Sequence, residues 1–232
     1  MGKAFYQKKK YNKKYMKALA IVLMKPIAVH NAIIDKKICG MSLKKVILSK
    51  YRESHGATSA TATSYAVLGQ VIDTKKINEN SKFIDVGCGK GRVIAYLLNK
   101  KVNCKIVGVE LDSEVAEIAK SWTKKYENVE IIQDNVFDLD ISEYTDFCLS
   151  RPFEREAFIK FLNKIENEAK QKVNVYLISD QQIGDYLDNR EGWTLEERGI
   201  LYFKKGLFVY YAPQRFSVLS FNPKKIGHQV MT

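Results

Sequence analysis

The run Lys82-Phe83-Ile84-Asp85-Val86 leads into Gly87-Cys88-Gly89-Lys90-Gly91, and then into Arg92-Val93-Ile94. No other feature of the chain constrains its fold as much. A strand must turn sharply into a helix there, and positive φ is cheap only for glycine. The missing Cβ atoms also let a ligand approach the backbone. Open α/β sheets bind ligands outside the carboxyl ends of their strands, so the loop predicts a Rossmann-like sheet with a ligand above this turn. A dinucleotide fingerprint reads G-x-G-x-x-G, its amides facing a pyrophosphate. Here the spacing is G-x-G-x-G, and Arg92 stands where the last glycine of that fingerprint would be. Asp85, two residues before Gly87, is a poor neighbour for a pyrophosphate and a good one for a cation.

The surrounding sequence alternates between the two periodicities. Strands are predicted at 82–86, 105–111, 129–133, 145–150 and 173–179, and helices at 64–73, 91–100, 113–126 and 154–169. Thr63 or Ser64 caps the first helix and Asp112 or Ser113 the third. This β-α-β-α order implies a doubly wound, mostly parallel sheet. The tail offers Thr194–Phe203 and Leu207–Leu219 around Lys204-Lys205-Gly206, a turn that predicts an antiparallel edge hairpin. The expected architecture is one seven-stranded Rossmann-like domain over residues 54–232, preceded by a helical extension over residues 1–53.

Two further acids follow strands in order. Glu110 ends the second strand, within Val107-Gly108-Val109-Glu110-Leu111-Asp112, and Asp134 ends the third, before Asn135. A carboxylate at the first position accepts from ribose hydroxyls, and one at the second can take an adenine amino group. Together with residues 83–91, these segments resemble the class I S-adenosylmethionine-dependent methyltransferases over roughly residues 58–180. The resemblance implies S-adenosylmethionine as cofactor and S-adenosylhomocysteine as product. It implies a cofactor site of Asp85, Gly87, Cys88, Gly89, Gly91, Glu110, Leu111, Asp134 and Asn135. The segment Ala60-Thr61-Ala62-Thr63-Ser64-Tyr65 resembles a T-P-T-P-Y-like stretch that closes over the methionine end of the cofactor in many bacterial members. That adds Thr63 and Tyr65, although both prolines are absent.

Methyl transfer is an in-line displacement at a carbon already activated by a sulfonium, so alignment and, for a protonated acceptor, a base suffice. Amino-directed members of the family carry Asn/Asp-Pro-Pro-Tyr/Phe after the fourth strand. This chain has Ser150-Arg151-Pro152-Phe153. Pro152 and Phe153 keep a rigid turn and an aromatic wall on the substrate side. Arg151 replaces the amide and suits an anionic group. His55, whose ordinary pKa lies near neutrality, is the candidate base, while His30 and His228 fall outside the expected site. The expected acceptor is an oxygen or nitrogen of a small-molecule or glycan-type substrate. Protein lysine, RNA and a non-catalytic cofactor-binding scaffold are the alternatives.

Charge is unevenly placed. Of 38 Lys/Arg and 26 Asp/Glu in the chain, residues 1–53 hold fourteen and two, and the remaining sequence is balanced. Lysines flank the apolar run Ala18–Met24, which is far short of the roughly 20 residues that span a bilayer and is followed by Lys25-Pro26. Three roles fit this extension: an anionic membrane surface met through residues 1–34, nucleic acid gripped by lysines among Tyr6, Tyr11 and Tyr15, or a helical cap on the domain. The neutral body argues against nucleic acid, which needs a basic path to the site. Cys39, Cys88, Cys104 and Cys148 show no C-x-x-C pair and no histidine at ligand spacing, so free thiols and no metal are expected. The expected location is cytoplasmic, with a peripheral place on the inner membrane face under the first role.

Overall fold

The computed structural model describes residues 13–204, 207–208 and 214–225, with side chains over residues 25–201 and 214–224. In chain order the elements are α1 (Lys13–Cys39), α2 (Arg52–His55), α3 (Tyr65–Val71), β1 (Lys82–Val86), α4 (Arg92–Asn99), β2 (Lys105–Glu110), α5 (Ser113–Thr123), β3 (Val129–Gln133), β4 (Asp146–Leu149), α6 (Arg155–Glu168), β5 (Val173–Ile178), β6 (Trp193–Ile200), β7 (Tyr202–Lys204), β8 (Leu207–Phe208) and β9 (Arg215–Phe221). Among the described residues, seven strands form one sheet in the order β3-β2-β1-β4-β5-β9-β6. Strands β1 to β5 run parallel, while β9 lies antiparallel to both β5 and β6.

Period-two alternation divides the core. Phe83 and Cys148 face the layer that holds α1, α3 and α4, where Ile34, Ile38, Leu68, Ile94 and Leu97 pack. Ile84, Val86, Phe147 and Leu149 face α6, meeting Phe158, Phe161 and Ile165. Both faces of the central strands are covered, as parallel sheets require. Ser64 caps α3 by accepting from Val67 N at 3.3 Å, and Asp112 caps α5 through Glu114 N at 2.9 Å. The expected helix ends move inward by a few residues, as frayed final turns do.

Two features depart from the sequence reading. The helical extension expected over residues 1–53 is one helix, α1, that runs through Pro26 to Cys39 and then gives way to an irregular segment and the short α2. Proline removes one helical hydrogen bond; the helix is held instead by the burial of Ile27, Ile34 and Ile38 in the α4 layer. At the tail, β6 and β9 form the antiparallel pair, with Ile200 opposite Arg215 as its last register partners. The turn expected at Lys204–Gly206 therefore does not join the sheet strands directly, because β7 and β8 form a separate ladder in the connection. Lys205, Gly206 and His228 lie outside the described residues, as do Tyr6 and Tyr11.

The topology places the site. Strand order reverses between β1 and β4, and ligands of open α/β sheets bind at such a switch point. The turns that leave these strands touch there. A Cβ on Gly87 would lie 2.6 Å from Pro152 Cβ, and Gly87 has φ of 66°. Gly91 has φ of 89°, and a Cβ there would lie 2.8 Å from Trp122 Cζ2. Gly91→Ala is therefore expected to destabilise the protein by about 1–3 kcal/mol, read as a lower urea midpoint. An unchanged midpoint would show that the turn and the indole tolerate a side chain.

Candidate active site

A cleft of about 900 Å³, open mouth included, runs along the switch point. Its walls come from the glycine turn, from the ends of β2 and β3, from the turn after β4, and from residues 55–63. Asp85, Gly87, Cys88, Gly89, Glu110, Leu111, Asp134, Asn135, Thr63, His55, Arg151, Pro152 and Phe153 all border it. Tyr65 and Gly91 do not. Tyr65 turns inward and donates its hydroxyl to Asp35 Oδ1 at 2.8 Å, because the α3 helix begins there and aims the ring at the core. Gly91 admits the Trp122 indole, as shown above.

The cleft carries buried carboxyl groups. Asp85 is 1% exposed, and its Oδ2 has no hydrogen-bond partner. Burial first, and then the nearby Glu110 charge, push its pKa up from 3.8 to about 8. A buried carboxyl oxygen without a donor is costly, and a cationic group on the ligand would satisfy it. Glu110 Oε2 accepts from Gly89 N at 2.8 Å and Oε1 from Asp112 N at 3.0 Å. Its pKa is also raised, mainly by burial. Glu110 thus braces the glycine turn while bordering the cleft. Asp134 is exposed at the far end, where its Oδ1 accepts from Asn135 N at 2.7 Å. Asn135 caps the following 3-10 turn through Phe137 N.

Residues 56–63 form a strap between the two turns. Glu154 N donates to Gly56 O at 2.7 Å, and Thr58 N to Pro152 O at 2.9 Å. Thr58 Oγ1 donates to Arg151 O, and the Thr63 and Ser150 hydroxyls share a hydrogen bond, both at 2.5 Å. On its outer side Ala60 exchanges backbone hydrogen bonds with Ile47. Arg151 stands at φ of 52°, a conformation stabilised by these bonds, and its side chain is exposed at the rim. His55, also exposed, ends α2 with Nδ1 2.8 Å from Ser54 Oγ and its ring edge-on to Tyr51.

Several contributors escape sequence reasoning. Lys90 is buried and donates to Lys45 O, and Thr58 and Ser150 hold the strap. Arg92 and Asp35 form a buried ion pair behind the strap. One visible signal existed for the last two. Asp35 is the sole acid among the first 52 residues, set between Ile34 and Ile38.

The donor set fits S-adenosylmethionine. Glycine backbone lines a narrow turn, the buried Asp85 Oδ2 has no protein partner and would accept a cationic group, and Glu110 and Asp134 follow along the cleft where they would meet hydroxyl and amino groups of a nucleoside. Residues 77–182 match the family model described as a methyltransferase domain. Among curated proteins, the ribosomal RNA small subunit methyltransferase A of Fusobacterium nucleatum subsp. nucleatum is 23% identical over 168 residues, covering 68% of this chain and 59% of that protein. The protein of the same name from Persephonella marina is 30% identical over 84 residues, covering 36% and 31%. The chain thus spans about three-fifths or less of these relatives. An RNA methyltransferase from Salinibacter ruber, solved with S-adenosyl-L-homocysteine, shares the fold at a TM-score of 0.53 and 18% identity, covering 74% of this chain and 100% of that one. TrmN from Thermus thermophilus does so at 0.54 and 10%, covering 68% and 49%. Residues 77–182 thus form a methyltransferase domain, and its motif order and sheet topology are those of a Rossmann-like fold similar to the class I S-adenosylmethionine-dependent methyltransferases.

Proposed function

We propose that the protein transfers the methyl group of S-adenosylmethionine to a nitrogen or oxygen of RNA. The observation that carries this reading is the place of the basic segment 44–52. The balanced charge of the body had argued against nucleic acid. In the fold, however, one part of the basic extension, the segment 44–52, lies against the strap and the glycine turn. Ile47 pairs with Ala60 of the strap, Lys45 O accepts from Lys90 of the glycine turn, and Arg52 reaches Glu154 at 2.8 Å. Exposed Lys44 and Lys45 therefore stand beside the strap and the glycine turn, and exposed Arg151 lines the cleft, where phosphate contacts would set the register of a strand. The ribosomal RNA methyltransferases among the relatives favour the same acceptor. They put RNA ahead of the small-molecule or glycan acceptor that the Arg151 turn first suggested. Membrane docking through residues 1–34 draws no support from these relatives, and among the described residues no helix is long and apolar enough to cross a membrane.

When bound, S-adenosylmethionine supplies a methyl carbon activated by its sulfonium. The chain's own work is alignment. Asp85 would hold the cationic end of the cofactor, Glu110 would accept from its ribose, and the strap with Pro152 and Phe153 would wall the space where the acceptor enters. Arg151 offers a guanidinium to a phosphate at the rim. His55, at the cleft border, would take the acceptor proton. Fixed positioning of this kind accounts for most of what such a displacement needs.

Incubation of the protein with host RNA, protein, lipid and small-molecule pools and methyl-labelled S-adenosylmethionine is expected to label a ribonuclease-sensitive fraction. Label confined to lipid, glycan or protein would overturn the RNA reading, and S-adenosylhomocysteine binding without turnover on any pool would indicate a scaffold. Arg151→Ala is expected to weaken RNA binding and lower the slope of its salt dependence by about one, with unchanged affinity for S-adenosylhomocysteine. Asp85 yields a pH test. Its folded pKa of about 8 exceeds the ordinary 3.8, so its contribution to stability is full below the lower value and fades as pH rises through the upper. The melting temperature of wild type minus that of Asp85→Asn should accordingly fall between pH 6 and pH 9 in the ligand-free protein. Cofactor affinity, which calls for the carboxylate, should rise over pH 6 to 8 in wild type alone.

A further inference from the structure

The ion pair behind the strap has no place in the family motifs, and its geometry is complete. Asp35, on α1, is 1% exposed and Arg92, at the first turn of α4, is 6% exposed. Arg92 Nη2 donates to Asp35 Oδ2 at 2.6 Å and Nε to Oδ1 at 3.1 Å. The remaining acceptor capacity is taken by Leu43 N on Oδ2 at 3.0 Å and by the Tyr65 hydroxyl on Oδ1 at 2.8 Å. The free arm of the guanidinium, Nη1, donates to Ala62 O at 3.0 Å. Ala62 lies in the strap beside Thr63, and Arg92 itself borders the cleft next to the glycine turn.

We infer that Asp35 is a positioning residue for the cofactor cleft: by holding Arg92 it fixes the guanidinium that props the strap at Ala62, which makes the second half of α1 a working part of the site. Three physical points carry this. First, an arginine fork bound bidentately has its direction fixed, so its third nitrogen is aimed rather than free. Second, the strap has no regular secondary structure, and its position rests on a short set of hydrogen bonds, of which the Arg92 bond is the one contributed from behind the cleft. Third, Asn31 of the same helix accepts from Tyr65 N at 3.1 Å, so α1 also fixes the first residue of α3, two residues beyond the strap. Short stretches held only by such bonds open first when one is lost. The inference rests on the cofactor reading of the cleft.

The test compares wild type, Arg92→Lys and the double variant Asp35→Asn/Arg92→Met. The double variant leaves no buried charge unpaired, and its amide oxygen still accepts from Leu43 N or Tyr65 Oη, so the fold is expected to persist. Calorimetric binding of S-adenosylhomocysteine, the urea midpoint and amide hydrogen exchange are measured on each full chain. Both variants are expected to bind about tenfold more weakly, in the range of couplings within one hydrogen-bond network. Amides of residues 57–63 should exchange faster, while those of β1 and β4 and the urea midpoint of the double variant stay near wild type. A merely structural pair would lower the midpoint without singling out the strap. Wild-type affinity and wild-type strap exchange in either folded variant overturn the inference. If the double variant loses its cooperative transition, Arg92→Lys decides, since it keeps the charge pair but not the fork. The exchange of the strap is read without ligand, so it separates the tether from the cofactor: a wild type that fails to bind S-adenosylhomocysteine overturns the cofactor reading and the coupling together.

Discussion

The contact on which the site depends is the one between Gly87 and Pro152. Neighbouring parallel strands lie about 4.8 Å apart, so the turns that leave β1 and β4 are close at the switch point. Both must leave the sheet there without colliding. Gly87 resolves the conflict by lacking a side chain, and Pro152 by holding a rigid φ. The glycine turn and the turn after β4 are consequently one packed unit. A displacement of either is felt by the other, which suits chemistry that transfers a group across the gap between them.

A second constraint comes from charge. Removing one member of a buried ion pair costs several kcal/mol, although the intact pair adds little net stability against apolar replacements. The Asp35–Arg92 pair therefore says little about why the domain is stable and more about why α1 docks in one register. Ile27, Ile34 and Ile38 supply apolar burial that is tolerant of sliding along α4. The carboxylate, saturated by Arg92, Tyr65 and Leu43 N, permits one position. Elsewhere the same division holds: Asp180 is buried against Arg215 and the Ser217 hydroxyl beside β9, pinning the antiparallel end of the sheet.

The parts of this architecture visible in the sequence are those set by short-range pattern. The strand before Gly87, the acids Glu110 and Asp134, and the helix caps at Ser64 and Asp112 each follow from a few adjacent residues. What stayed hidden depends on distant partners. Tyr65 looked like a cofactor residue because its neighbours did, but its direction is set by Asp35, thirty residues earlier. Gly91 read as part of a ligand cradle, whereas its missing side chain makes room for Trp122. The basic stretch at 44–52 read as part of an appendage, since nothing local reveals that Ile47 pairs with Ala60. The β6–β9 pairing was expected, but its long connection was not, because turn residues at 204–206 fit a hairpin whichever strands they join.

The strap grips the turn after β4 in a particular way. Thr58 uses its amide and its hydroxyl on the carbonyl oxygens of Pro152 and Arg151, and Gly56 O accepts from the amide of Glu154. These bonds are blind to side-chain identity. At positions 151 and 152 the turn is held by main-chain oxygens, so a residue that tolerates the φ of 52° at position 151 leaves these bonds intact. The hold on the turn and the chemistry its exposed side chain presents are thereby inherited separately. A scaffold built this way can exchange one acceptor for another over evolutionary time by altering a single exposed side chain, with the machinery for holding the methyl donor left intact.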